Sequence, residues 1–463
     1  MKTAATILCV SLAIFPHLLS LGCTPPVQGV TVYKPEKCDN GYTLLSSIGS
    51  HENPPGSGVY HGALLIDMEG SLVHEWAMSG MPAKMLPGGH VMGYRSPRDD
   101  GTGHLEWDAL VVMDWHGREV WSWEGWDVDA HGNPISRGHH DFQREGSPGG
   151  CPASGMDGPV RSGRTLLVVH ENLEKPEIAP WTLEDDVILE VDREGRILWE
   201  WHASDHFDEF GFAEDAREAL RTVQVIMPEV LGGGADVTDW LHVNSVSLLG
   251  PNRWWQAGDS RFHPENIIVS SRSANILWII EKATGDIVWK VGPDYSRGRP
   301  EARLGQIIGQ HNAQMIPKGL PGAGNILVFD NGGAAGFGML FGRPAYPNKI
   351  RVYSRVIEFA PVSFEVVWEY QRRAPGDGER FRFYSYYVSG AQRLGNGNTL
   401  ITEGATGRVF EVTAAGELVW EYISPYHDFP ADLVPPSNPL HWENDLYRAY
   451  RISYGKVPRE LLP

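Results

Sequence analysis

An all-β fold, a six-bladed β-propeller with loop and short helical insertions, is what this sequence predicts, and three observations carry the prediction. One is a segment that recurs when the tryptophans are aligned: GSLVHEW (70–76), GREVWSW (117–123), GRILWEW (195–201), GDIVWKV (285–291), FEVVWEY (364–370) and GELVWEY (416–422). Each alternates apolar and polar residues, the period of a half-buried strand. A second is what precedes these segments: an apolar strand and a turn, as in VILEVDREG and VFEVTAAG, and before that another strand, as in GNILVFDN, GNTLITEG and GRTLLVVHEN. The third is composition: 53 glycines, 33 prolines and 17 tryptophans in 463 residues suit many short strands joined by turns.

Copies of a multi-strand unit close most readily into a ring, because a ring leaves no exposed sheet end. The mean period is roughly 70 residues, longer than the 40–50 of plain propeller repeats, so some blades carry insertions. One is visible at 206–235, where EDAREALRTVQ has helical character and GGG follows.

The first 23 residues, MKTAATILCVSLAIFPHLLSLGC, read as an export signal: a lysine, an apolar stretch and a small-residue end. LLSLGC also resembles a lipoprotein cleavage box with Cys23 as the lipidated residue, which makes the protein either periplasmic or a membrane-anchored lipoprotein. The expected organisation is a signal at 1–23, an N-terminal arm at 24–40 and the propeller with its C-terminal closing segment at 41–463. In an oxidising compartment Cys38 and Cys151 form an even pair, the expected disulfide. The net charge of −19 excludes a nucleic-acid partner, which would require a basic face.

Ahead of each glycine-rich turn runs one more strand, the innermost of its blade: PAKMLPGG, HHDFQREG, HVNSVSLLG, HNAQMIPKG and SGAQRLGNG. Aligned on Lys84, Gln143, Ser245, Gln314 and Gln392, three consecutive blades place a histidine three residues upstream: His140, His242 and His311. Innermost strands line the central channel, so these side chains are expected to converge. The next strand supplies a second ring, Ser96, His170, Arg272, Asn331 and Gly404, and Arg272 shares a blade with His242.

Histidines beside an arginine suit transfer of an anionic group such as sulfuryl or phosphoryl. The guanidinium fork binds the oxygens, one neutral imidazole attacks and another moves a proton. Three histidines could equally hold zinc with an open position for hydrolysis, with Asp141 as a ligand or orienting group. A third reading is a propeller that binds a ligand without turning it over. Neither a G-x-x-x-x-G-K-[ST] loop nor a G-x-S-x-G elbow is present.

HHDF, DWLHVNSV followed by IIVSSR, QHNAQ and the tail NDLYRAYRISY together resemble the bacterial aryl-sulfate sulfotransferase family. That resemblance implies a six-bladed propeller that moves a sulfuryl group from an aryl sulfate to a phenol, without nucleotide or metal cofactor, by a ping-pong route through a sulfohistidine. It implies His311 as nucleophile, His242 as acid and base at the phenolic oxygen, and His140 and Arg272 as ligands of the sulfuryl oxygens. Asn244 becomes a neighbouring polar contact. Tyr384, Tyr386 and Tyr387 of FYSYYVSG, with Trp254 and Trp255, become candidate walls for the aryl ring. Partners would be the small-molecule donor and acceptor, with a membrane contact only through a lipid anchor. The best-known members carry a sizeable N-terminal β-domain used in dimer contacts, where this sequence has a short arm. The 250–264 stretch lengthens the link between the His242 and Arg272 strands, which points to altered acceptor specificity.

Overall fold

The computed structural model describes residues 28–52, 60–95, 105–129, 131–153, 155–225, 237–371, 383–426 and 444–462. The segment read from sequence as an export signal, including Cys23, lies outside them, as does Ser96. Six sheets carry the architecture, each with four antiparallel strands running from the channel outward, and they form a six-bladed β-propeller.

Blade 1 is closed by the chain's end: strand Leu446–Ile452 is innermost, followed by Tyr42–Glu52, Tyr60–Ile66 and Leu72–Trp76. Blade 2 runs Ser79–Leu86, His90–Tyr94, Leu110–Met113 and Glu119–Trp123. Blade 3 runs Gly138–Arg144, Thr165–Leu173, Thr182–Val191 and Ile197–His202. Blade 4 runs Val243–Leu248, Ile267–Ser271, Ile276–Ile280 and Ile287–Val291. Blade 5 runs His311–Met315, Ile326–Asp330, Arg355–Phe359 and Val366–Tyr370. Blade 6 runs Gly390–Arg393, Thr399–Glu403, Arg408–Val412 and Leu418–Ile423. The arm predicted ahead of the propeller adds Gly29–Tyr33 to blade 6 as a fifth, outermost strand. Both chain ends are thus tied into neighbouring blades, and the ring is latched at two radii.

The tryptophan repeat has a physical cause. On the fourth strand of each blade an indole N–H donates to a carbonyl in the outer hairpin turn of the next blade. The pairs are Trp76 to Asp114, Trp121 to Arg193, Trp201 to Gly285, Trp289 to Pro361, Trp368 to Ala414 and Trp420 to Met68, at 2.8–3.0 Å. His74, the exception in the repeat, does the same work: its Nε2 sits 2.7 Å from the Trp115 carbonyl. A second set of ties joins the inner part of the ring. Backbone N–H groups of the following blade donate to Ser46, Asp141, Ser245, Asn312 and Thr402 side chains (Ala83, Val246, Ala313, Ala391 and Ala449 respectively), and Lys84 bridges to Asp141. These bonds satisfy polar side chains that the ring buries, as low burial dielectric favours. Between the blades lie faces of Val, Ile, Leu and Trp, typified by ILWII (276–280), where every residue is buried.

The predicted helix is present as Glu214–Thr222, with Ala216, Ala219 and Leu220 facing the core. The predicted disulfide is not. Cys38 and Cys151 are free thiols in different apolar clusters, one against Leu400 and Trp420, the other against Phe329 and Phe383. The Cys38 sulfur lies 3.4 Å from the Val419 carbonyl, and the Cys151 sulfur accepts the Arg393 N–H at 3.0 Å. Burial pushes the two thiols up to about 11 and about 12, so both are inert.

Candidate active site

The three histidines emerge at the start of the innermost strands of blades 3, 4 and 5, at one end of the channel. They meet in space without sharing a register. Gln143 and Gln314 pair with Leu166 and Leu327, each the second residue of its strand, but in blade 4 the residue opposite Ile268 is Ser247 and not Ser245. Each strand has a bulge near its histidine, and this lets a histidine five residues ahead of the matched position reach the same place. His140 and His242 hold left-handed backbone angles, φ +53° and +55°, while in blade 5 the left-handed residue is Asn312. A non-glycine residue there costs of order 1–3 kcal/mol, strain that the surrounding sheet must sustain.

His311 is 2% exposed, and its Nδ1 faces two carbonyl-type acceptors: Gly309 O at 3.0 Å and Asn331 Oδ1 at 2.9 Å. The Asn331 amide cannot be turned round, because its Nδ2 donates to the Ser385 and Val388 carbonyls. Two acceptors at Nδ1 place the proton there and leave the lone pair on Nε2. Burial, then the Arg272 guanidinium, with His242 and Arg448 adding to it, holds this ring well below the usual histidine range, so it is neutral at neutral pH.

His242 Nδ1 lies 2.5 Å from Asp239 Oδ2, and both residues are buried. Asp239 sits three residues upstream in a short strand, Val237–Asp239, paired to blade 3. Acceptance of Nδ1–H by the carboxylate orients the ring and balances the charge of the imidazolium formed when Nε2 takes a proton. His140 lies edge-on to His242, ring centroids 4.5 Å apart. Its Nδ1 is 2.8 Å from Nδ1 of His139, and its carbonyl accepts the Tyr447 hydroxyl. Arg272 is half-buried, its backbone N–H donating to the His242 carbonyl and its guanidinium to Tyr346 at 3.3 Å. The geometry thus brings His140, His242, His311 and Arg272 together.

Of the other expected contacts, Asn244 is engaged between blades, its Nδ2 donating to the Gln310 carbonyl at 2.7 Å. Tyr386 and Tyr387 are half-buried with rings 4.7 Å apart, on the connection from blade 5 to blade 6 at the histidine end. The Tyr386 hydroxyl is pushed up to about 12 by burial, with Arg272 opposing, and Tyr387 donates to Asp445. Trp254 and Trp255 are not aryl walls. They occupy a short helix, Arg253–Gln256, between the inner two strands of blade 4, at the turn end of the channel, and Trp254 donates to the Gly324 carbonyl there. The 250–264 lengthening therefore does not reach the acceptor site. Alternation along a strand does not reveal which end a loop occupies, which is why the sequence placed them wrongly.

Sequence reasoning also passed over Asp239 and Arg448. Arg448, 1% exposed on the closing strand, donates to the Asn244 carbonyl and pairs with Asp141 at 3.0 Å. Both residues lie within the quoted motifs DWLHVNSV and NDLYRAYRISY, so the signal was present without a role attached.

A family model described as Arylsulfotransferase (ASST) matches residues 158–421, more than half of the chain and spanning the His242, Arg272 and His311 segments. The chain belongs to the arylsulfotransferase family. Membership supports aryl sulfotransferase activity in general, and with it small aryl molecules as substrates. A search of curated protein sequences finds no match. Among solved structures, a protein of unknown function from Bacteroides caccae aligns at 11% identity over 89% of this chain and 98% of its own, with TM-score 0.39. The Cps50 (Swd1) propeller domain of Myceliophteria thermophila aligns at 8% identity over 83% of this chain and 90% of its own, TM-score 0.37. A member of the DUF4221 family from Bacteroides vulgatus aligns at 9% identity over 81% and 91%, TM-score 0.31. At these distances none bears on what this arylsulfotransferase does.

Proposed function

We propose that this arylsulfotransferase moves a sulfuryl group from an aryl sulfate to a phenol in two half-reactions through a sulfohistidine at His311. The observation that carries the reading is the pair of acceptors at His311 Nδ1, which leaves Nε2 as a neutral nucleophile close to the Arg272 guanidinium. In the first half-reaction Nε2 attacks sulfur, the S–O bond to the aryl group breaks, and the departing phenolate takes the Nε2 proton of the His242 imidazolium, whose Nδ1–H stays on Asp239. In the second, neutral His242 removes the acceptor phenol's proton, the phenolate oxygen attacks sulfur, and the N–S bond breaks to restore His311. Arg272 and His140 bind the sulfuryl oxygens and stabilise their charge as the bonds exchange. Tyr386 and Tyr387 flank the aryl ring. The apolar leader at 1–23 supports export, where aryl sulfates would serve as donors in place of nucleotide-activated sulfate.

The test is incubation with a chromogenic aryl sulfate, with and without a phenol, for wild type and His311→Ala. Acceptor-dependent phenol release abolished in His311→Ala is expected. Release at equal rate without acceptor would instead make the protein a sulfatase.

A further inference from the structure

The 250–264 insertion of blade 4, which the active site does not use, lines part of a surface groove of about 520 Å³ between blades 3 and 4. The groove lies at the turn end, away from the histidines. The insertion is held from within. Asn252, 3% exposed, accepts the Trp254 and Trp255 N–H groups and donates to the Gly250 and Phe262 carbonyls, and Phe262 is fully buried. Its two tryptophans part company. Trp254 is tied to blade 5, whereas Trp255 is 40% exposed, lines the groove and stands edge-on to His263 with ring centroids 4.5 Å apart.

Blade 3 supplies a second indole. Trp199 occupies the repeat position at which Trp121, Trp289, Trp368 and Trp420 bond the next blade, but in blade 3 Trp201 makes that bond. Among the described residues the Trp199 indole N–H has no acceptor, and the half-buried ring lines the groove beside Leu198, which is 52% exposed. The seams between blades therefore do not account for Trp199 or Trp255. Solvent-facing apolar rings in a shaped groove mark ligand sites. The rest of the lining is polar. Glu190, opposite Trp199 on the neighbouring strand, is 5% exposed and holds Lys282 at 2.5 Å and Arg164 at 3.3 Å. The same two cations meet Glu265 through Oε2, at 3.8 and 3.5 Å, and its Oε1 has no partner among the described residues. His263 Nδ1 accepts the Glu265 N–H at 3.2 Å, which places the ring proton on Nε2 as a donor.

We propose that this groove binds a neutral oligosaccharide. The C–H face of a pyranose ring packs on an indole, whose π-face is electron-rich, and Trp199 and Trp255 supply two such surfaces from different blades. Sugar hydroxyls both donate and accept, which matches a lining that mixes the carboxylates of Glu265 and Glu281 with the N–H donors of His263 and Trp199. Charge selects against acidic sugars. Glu190, Glu265 and Glu281 outnumber Arg164 and Lys282, and both cations are already paired, so sulfated or uronic chains are repelled. A proline-rich peptide would also stack on indoles, but its prolines bring no N–H donors to the carboxylates. A site at the turn end holds the chain on a glycan and leaves the histidine end open. It stands apart from the sulfotransferase reading.

The test is isothermal titration of the full chain with cellohexaose, xylohexaose, mannohexaose, chitohexaose and maltohexaose. At least one is expected to bind. Trp255→Ala and Trp199→Ala should each weaken that binding by about tenfold or more, and Glu265→Gln by at least about tenfold. Trp255 is exposed, so Trp255→Ala decides the matter should Trp199→Ala misfold. His311→Ala should bind the sugar as wild type does, and Trp255→Ala should transfer sulfuryl groups as wild type does. A folded wild type that binds none of the five overturns the proposal, and so does binding that survives in both tryptophan variants. Tighter binding of a heparin hexasaccharide or of decaproline, lost in Trp255→Ala, overturns the choice of a neutral sugar. Because binding is read without turnover, failure of the sulfotransferase reading leaves this result distinguishable.

Discussion

Asp239→Asn is the perturbation most specific to the proposed division of labour. The substitution keeps shape and removes the charge that His242 Nδ1 meets at 2.5 Å in a buried setting. A hydrogen bond to a charged partner contributes about 1.5–3 kcal/mol, which is roughly 10- to 150-fold in rate if felt at the transition state. The amide adds a second effect. Its NH2 group can donate to Nδ1, which moves the ring proton to Nε2 and inverts the tautomer needed for a base, so the loss in kcat should reach about two to three orders of magnitude. Rapid-mixing kinetics of the sulfurylation half-reaction separates this from general damage. With 4-nitrophenyl sulfate the leaving phenolate is stable and needs little protonation, so the burst rate should fall by less than about tenfold. With unsubstituted phenyl sulfate the full loss should appear. Equal losses for both donors, in a variant with unchanged thermal stability, would refute the assignment of His242 as the acid paired to Asp239.

Other outcomes follow from the same geometry. Trp420→Phe removes the indole donor that ties blade 6 to the Met68 carbonyl of blade 1, and urea denaturation should show a loss of about 1–3 kcal/mol. His311 is held below its unfolded value, so as pH falls below about 6.5 the unfolded chain binds the proton first and stability declines; His311→Gln should lessen that slope by up to about 1.4 kcal/mol per pH unit. Thiol titration of the denatured, unreduced chain from residue 24 onward should count both Cys38 and Cys151, and a titration finding neither would restore the disulfide. Trp254→Ala should leave KM for aryl donor and acceptor unchanged, since it removes a side chain at the turn end of the channel.

What the sequence revealed, and what it hid, divides along physical lines. The blades were legible because the fourth strand of each performs the same act, an indole donating to the neighbouring blade, and repetition of a task leaves repetition of residues. His74 shows the rule through its exception, filling the slot with another ring N–H. The meeting of His140, His242 and His311 was legible, but their equivalence was not, because bulges and left-handed residues shift register without any mark in the alternation pattern. Cys38 and Cys151 looked paired by parity alone, and parity carries no distance. Asp239 stood in a quoted motif, yet its role depends on the +55° turn at His242 that brings ring and carboxylate together.

The central claim is that His311 carries the sulfuryl group. Quenching the protein after brief exposure to an aryl sulfate without acceptor, then mapping peptides by mass spectrometry at alkaline pH, tests it directly. The account predicts one SO3 adduct on the peptide bearing His311, discharged by added phenol and absent from His311→Ala. An adduct on His140 or His242, or transfer that proceeds with no adduct at all, would contradict it.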